Sequence, residues 1–165
     1  MKKSYSIDFK YDYDFILIGI CSPIKDYHIC YKLNKTLNIS LYRSKHDVYM
    51  DFYEGIEKGQ FSLYEYYDEQ YENQWYLITN KCQILCQEEI QNKGTIFDGF
   101  LQNEKKTKYL IPEDSTVDFY LQVHGVYCQK AKSQLIKNIK KINTVVNAYE
   151  IIIQDLASKE NLIIK

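Results

Sequence analysis

Along this chain the spacing of hydrophobic positions changes repeatedly, and each change predicts an element. Residues 15–21, Phe-Ile-Leu-Ile-Gly-Ile-Cys, are apolar almost without a break, as in a strand buried on both faces. Ser22 and Pro23 then read as a helix start, with serine as N-cap and proline in the first turn. Ile24, Tyr27, Cys30, Leu33 and Leu37 fall on one stripe at helical spacing, and Asn38 suits a left-handed C-cap. A strand beginning at residues 39–43 would complete a β-α-β unit over residues 15–43.

The middle of the chain, residues 48–84, reads as an antiparallel meander. Residues 48–53 form one strand, and Gly55 and Gly59 punctuate the loop after it. Residues 61–67 and 74–81 pair as a hairpin around the polar stretch 68–73. Residues 88–108 are mostly polar, with an isolated apolar cluster at Ile96, Phe97, Phe100 and Leu101. That pattern predicts a long loop, with room for a short helix or strand. Beyond Gly125, Ala131, Leu135, Ile139 and Ile142 make the stripe of a second helix. Residues 144–153 are β-rich, residues 155–159 suit a turn, and residues 162–164 suit a short edge strand. The prediction is one α+β domain over residues 1–165, a mixed, largely antiparallel sheet with two helices on one face. Its carboxy-terminal part, residues 109–165 (strand, helix, strand), is expected to be ferredoxin-like.

Between loop and second helix lies the most distinctive stretch, residues 109–123. Pro112 fixes its own φ, removes a backbone donor and pushes Ile111 to an extended conformation. Glu113 to Thr116 suit a turn. Val117, Phe119, Leu121 and Val123 then alternate with Asp118, Tyr120, Gln122 and His124, the period of a strand with one buried face. Physically this is a turn that sets strand register; the functional alternative puts Glu113 and Asp118 in a ligand site, which nothing nearby demands. Ile111-Pro112-Glu113, followed by Val117-Asp118-Phe119, resembles the signature of the IPExxxVDY family of Bacteroidetes. Residues 17–22, 25–27 and 33–37 look like that family's amino-terminal pattern, and residues 75–81 look like its central strand. Phe119 stands where the family's name has tyrosine, so a hydroxyl there is absent or has moved to Tyr120. The resemblance implies no catalytic residue.

Composition narrows the function. At 165 residues, 45% hydrophobic and 26% charged, the chain can bury a substantial core. A net charge of -1 provides no global field for nucleic acid or a membrane. Asp8, Lys10, Asp12 and Asp14 interrupt any apolar segment after Lys2 and Lys3, and five cysteines is an odd number, so free thiols in the cytoplasm are expected.

Catalytic chemistry finds little support in this pattern. Cys82 and Cys86, with His124 and Cys128, would be needed for a zinc site, but the C-x₃-C spacing is not that of a tight knuckle. Cys128, His124 and Asp118 contain the residue types of a nucleophilic triad. Along one strand, however, His124 and Asp118 stand roughly 20 Å apart. No phosphate-binding glycine loop, nucleophile elbow or zincin motif occurs. The expectation is therefore a non-catalytic protein without cofactor or metal.

Surface composition favours recognition instead. Of the seventeen tyrosines, seven cluster between residues 49 and 76 among acidic residues, and Tyr64, Tyr66 and Tyr76 are the candidate contact rings. The second helix is basic, with Lys130, Lys137, Lys140 and Lys141 prominent. These complementary patches suit a protein partner or a second copy. RNA or ribosome binding through the lysine helix is the alternative, disfavoured because stacking tyrosines would need a positive groove. A metal- or thiol-dependent enzyme is the third possibility.

Overall fold

The structure, a computed structural model, describes residues 13–52, 57–89 and 101–164. Six strands form the central sheet, in the order β10-β1-β9-β6-β5-β2. They are β1 (Phe15–Cys21), β2 (Tyr42–Arg43), β5 (Leu63–Asp68), β6 (Asn73–Thr79), β9 (Phe119–His124) and β10 (Asn147–Glu150). Two hairpins stand apart from it: β3 (Val48–Phe52) with β4 (Glu57–Phe61), and β7 (Lys81–Glu89) with β8 (Leu101–Tyr109). Helix α1 (Asp26–Leu37) follows β1, and helix α2 (Val126–Lys140) follows β9.

The α+β class and the two helices on one face match the expectation. The mixed sheet does not: every strand pairing among the described residues is antiparallel. β1 and β2 run the same way, but β9, β6 and β5 lie between them, so residues 15–43 are not a compact β-α-β unit. Likewise β1 fills the gap between β9 and β10. The order β10-β1-β9-β6, with helices after β1 and β9, is that of a ferredoxin-like split β-α-β sheet. It draws on both halves of the chain rather than on the carboxy-terminal part alone.

Burial explains β1. Ile16, Ile18 and Ile20 face the helices, while Phe15 and Leu17 face a second core on the opposite side. The helix-side core adds Ile29, Cys30 and Leu33 from α1 and Leu135 and Ile139 from α2. The second is closed by Phe61, Cys82 and Ile84 from the hairpins and by Ile153, Leu156 and Leu162 from the tail. Gly19 lies between: a Cβ there would come within 2.7 Å of Ile151 Cδ1 and 2.9 Å of Val117 Cγ2.

Several boundaries move. α1 begins at Asp26, not at Ser22-Pro23, because Ser22 is buried and its backbone and hydroxyl are committed to Asp118 and Thr144. Asn38 is the left-handed C-cap, at φ 55° and ψ 48°. The hairpin at residues 61–81 forms as β5 and β6. The loop expected at residues 88–108 contains β8, starting at Leu101; Ile96, Phe97 and Phe100 lie outside the described residues. Residues 162–164 form no strand, since Lys159–Leu162 is a 3-10 helix. β9 starts at Phe119 and is buried on both faces, Tyr120 and Gln122 included, whereas one buried face was expected. Val117 belongs to the second core, while Phe119, Leu121 and Val123 belong to the first.

Candidate functional site: a groove at a free strand edge

Each carboxylate of the motif, Glu113, Asp114 and Asp118, has a partner. Pro112–Asp114 is a short 3-10 helix entered from an extended Ile111. Asn80, fully buried, receives the Ile111 N–H at 2.9 Å and donates to the Asp114 and Val117 carbonyls at 3.0 and 2.9 Å. Asp118 accepts the Ser22 N–H at 2.7 Å and pairs with Lys81 Nζ at 2.6 Å. Glu113 accepts the Ser158 N–H at 2.7 Å and its hydroxyl at 3.0 Å. Slight burial opposes ionisation of Glu113, but those donors outweigh it and hold the carboxyl below its ordinary value. Asp114 receives the Tyr149 hydroxyl at 3.3 Å, and Asn161 donates to the Leu110 carbonyl at 2.8 Å. The stretch joins β6, the β1–α1 connection, β10 and the tail, which is the work of a structural clasp.

Phe119 and Tyr120 point to opposite faces of the sheet, so the Tyr120 hydroxyl cannot stand in for one at residue 119. That hydroxyl is buried without a hydrogen-bond partner, and burial raises its pKa.

The tyrosines singled out in the sequence do not form a patch. Tyr64 is 7% exposed in the helix-side core, and Tyr66 packs against the same core. Burial, with Asp26 beside it, pushes the Tyr64 phenol up to about 12. Tyr76 belongs to the other face, where its ring meets His124 edge-on at 5.7 Å. Period two identifies residues that share a face of a strand; it does not say whether that face meets solvent. Lys137, Lys140 and Lys141 are exposed on α2, whereas the side chain of Lys130 lies outside the described residues.

The residues considered for catalysis are scattered. Cys82 is in the second core, and Asp118 and His124 bracket β9 from opposite ends. The side chains of Cys86 and Cys128 lie outside the described residues. Among the described residues no three His, Cys, Asp or Glu side chains are grouped to hold a metal ion. Burial raises the thiol pKa of Cys21, Cys30 (to about 11) and Cys82, the reverse of an activated nucleophile.

What the sequence did not indicate is a groove of about 710 Å³ on the second-core side. One wall is the run from Ser44 to Met50, the other is the tail at Glu160, Asn161, Ile163 and Ile164, and Leu63 and Leu110 lie in the floor. Val48, Tyr49 and Met50 line it consecutively. Successive strand residues point to opposite faces, so a cavity touching all three flanks the edge of β3 rather than a face. That edge is free: among the described residues β3 pairs with β4 alone. Tyr42 and Tyr49, 59% and 65% exposed, stand in the groove lining as solvent-facing rings.

No family model, curated protein or solved structure matches the chain. Among the described residues no helix is long and apolar enough to cross a membrane.

Proposed function

We propose that this protein is a non-catalytic cytoplasmic interaction module that binds an extended segment of a partner protein along the free edge of β3. The observation that carries this reading is the edge lying beside the 710 Å³ groove. An unpaired strand presents a row of N–H and C=O groups, and an added strand satisfies them while alternate side chains enter pockets. Natural edges are usually protected by lysine, proline or a bulge. Val48-Tyr-Met-Asp-Phe52 has neither lysine nor proline. Apolar Leu63, Leu110, Ile163 and Ile164 would receive a partner's side chain, and Tyr42 and Tyr49 would cover it.

A displayed library of random linear peptides tests the reading on the whole chain. Selected peptides should bind with backbone shifts centred on residues 48–52, and proline at alternate peptide positions should abolish binding. Met50→Lys should weaken binding by about tenfold or more. Peptides that map to α2, or that bind Met50→Lys unchanged, would overturn it. So would concentration-dependent pairing of two chains through β3 in place of peptide binding.

A further inference from the structure

The floor of the β3 groove is not uniformly apolar. Glu65 lines it two positions along β5 from Leu63, on the same face of the strand. Its Cα partners are Tyr42 of β2 and Tyr76 of β6, so ring, carboxylate and ring form one row across three strands. Side chains directly opposed in an antiparallel pair stand about 5 Å apart at Cβ. All three residues line the groove, and the Tyr76 ring packs edge-on against His124 at 5.7 Å.

The charges around this row are unequally committed. Asp47 accepts from Arg43 and from Gln60, each at 2.6 Å, and from the Leu63 N–H at 3.2 Å. The carboxylates of Glu65 and Glu160, which also lines the groove, have no hydrogen-bond or ion-pair partner among the described residues. Lys45 and His46, exposed on the wall from Ser44 to Met50, pair with neither of them. Glu65 is half-buried, and a strand laid along β3 would strip the remaining water from it. Covering a carboxylate without giving it a partner is costly, so the covering segment must bring the cation.

We propose that the groove selects partner segments that place an arginine on Glu65, an inference that rests on the β3 reading. The aliphatic stem would lie over Leu63, while the guanidinium takes both carboxylate oxygens and stacks against Tyr42. Glu160 adds a second negative charge from the tail. Lysine has neither the planar fork nor the stacking face, so arginine is the better fit.

The displayed library, screened on the full chain, tests this separately from the β3 reading. Peptides that shift residues 48–52 should share an arginine at one position. Replacing that arginine by citrulline, its uncharged isostere, should weaken binding about tenfold or more. Glu65→Gln, with an unchanged circular dichroism spectrum, should bring the arginine and citrulline peptides within about twofold of each other. Rescreening on Glu65→Lys should select an acidic residue at the same position. Peptides that bind at residues 48–52 without preferring arginine would overturn this inference alone. So would an arginine preference that persists in Glu65→Gln. A screen that returns no peptide at β3 would overturn both readings together.

Discussion

Asn80 shows how one buried amide can determine a loop. Its side chain satisfies one N–H and two carbonyls around the motif, and its own N–H donates to the Asp118 carbonyl at 2.9 Å. Asn80→Ala leaves the buried Ile111 N–H and Val117 carbonyl unpaired, while the Asp114 carbonyl keeps the Val117 N–H, and it is expected to cost about 2–5 kcal/mol, read as a lower urea midpoint with an unchanged slope. A loss under about 1 kcal/mol would mean that water replaces the amide. His124 gives a pH effect at the same scale. Its ring is half-buried against Phe15, with centroids 4.7 Å apart, and desolvation lowers its pKa from 6.5 despite the opposing charge of Asp14. Above 6.5 both states carry a neutral ring, and the group contributes nothing to pH dependence. As pH falls through 6.5, the unfolded chain takes up a proton that the folded chain resists, so stability drops until the folded value is passed. The drop from about pH 7.5 to 5.5 should shrink in His124→Gln, and an imidazole titrating at or above its ordinary value would refute it.

Among the elements, the tail carries more of the fold than its irregular form suggests. Leu162 is 1% exposed in the second core, and its carbonyl accepts the buried Gln122 amide at 3.0 Å. Leu162→Ala is expected to cost about 2–5 kcal/mol, and Ile164→Ala, half-buried, roughly half that or less. Equal costs would show that the tail adheres without being part of the core. The same residues show what could be read from sequence. β1, the α2 stripe and the β5–β6 hairpin were legible because period and turn chemistry are local. The run Leu162-Ile-Ile does not separate the two outcomes, because it has the same composition in a strand or a buried 3-10 turn. β8, Leu101–Tyr109, carries no strand signal, because its residues are mainly polar and lysine-rich, with no apolar alternation. Strand order was not legible, since it depends on which segments meet across more than a hundred residues. The groove was hidden for that reason: its walls come from residues 44–50 and 160–164, which only the fold brings together.

At the scale of the whole molecule, the two surfaces that compete for a functional reading lie on different faces of the sheet. α2 and its exposed Lys137, Lys140 and Lys141 belong to the helix side, and the β3 groove belongs to the other. Lys132 is already paired with Glu150 at 2.6 Å, which leaves a small basic patch on a chain of net charge -1. If those three lysines each neutralised one phosphate, the salt slope would be about -2.7, and RNA affinity would fall about 40-fold between 50 and 200 mM salt. A partner strand at β3 is held by backbone hydrogen bonds and apolar contact, so its affinity should change by less than about twofold over that range. Reversing all three lysines to glutamate should therefore leave peptide binding intact while removing any RNA retention. Binding that follows the steep slope and vanishes in the triple variant would transfer the function from the β3 edge to α2.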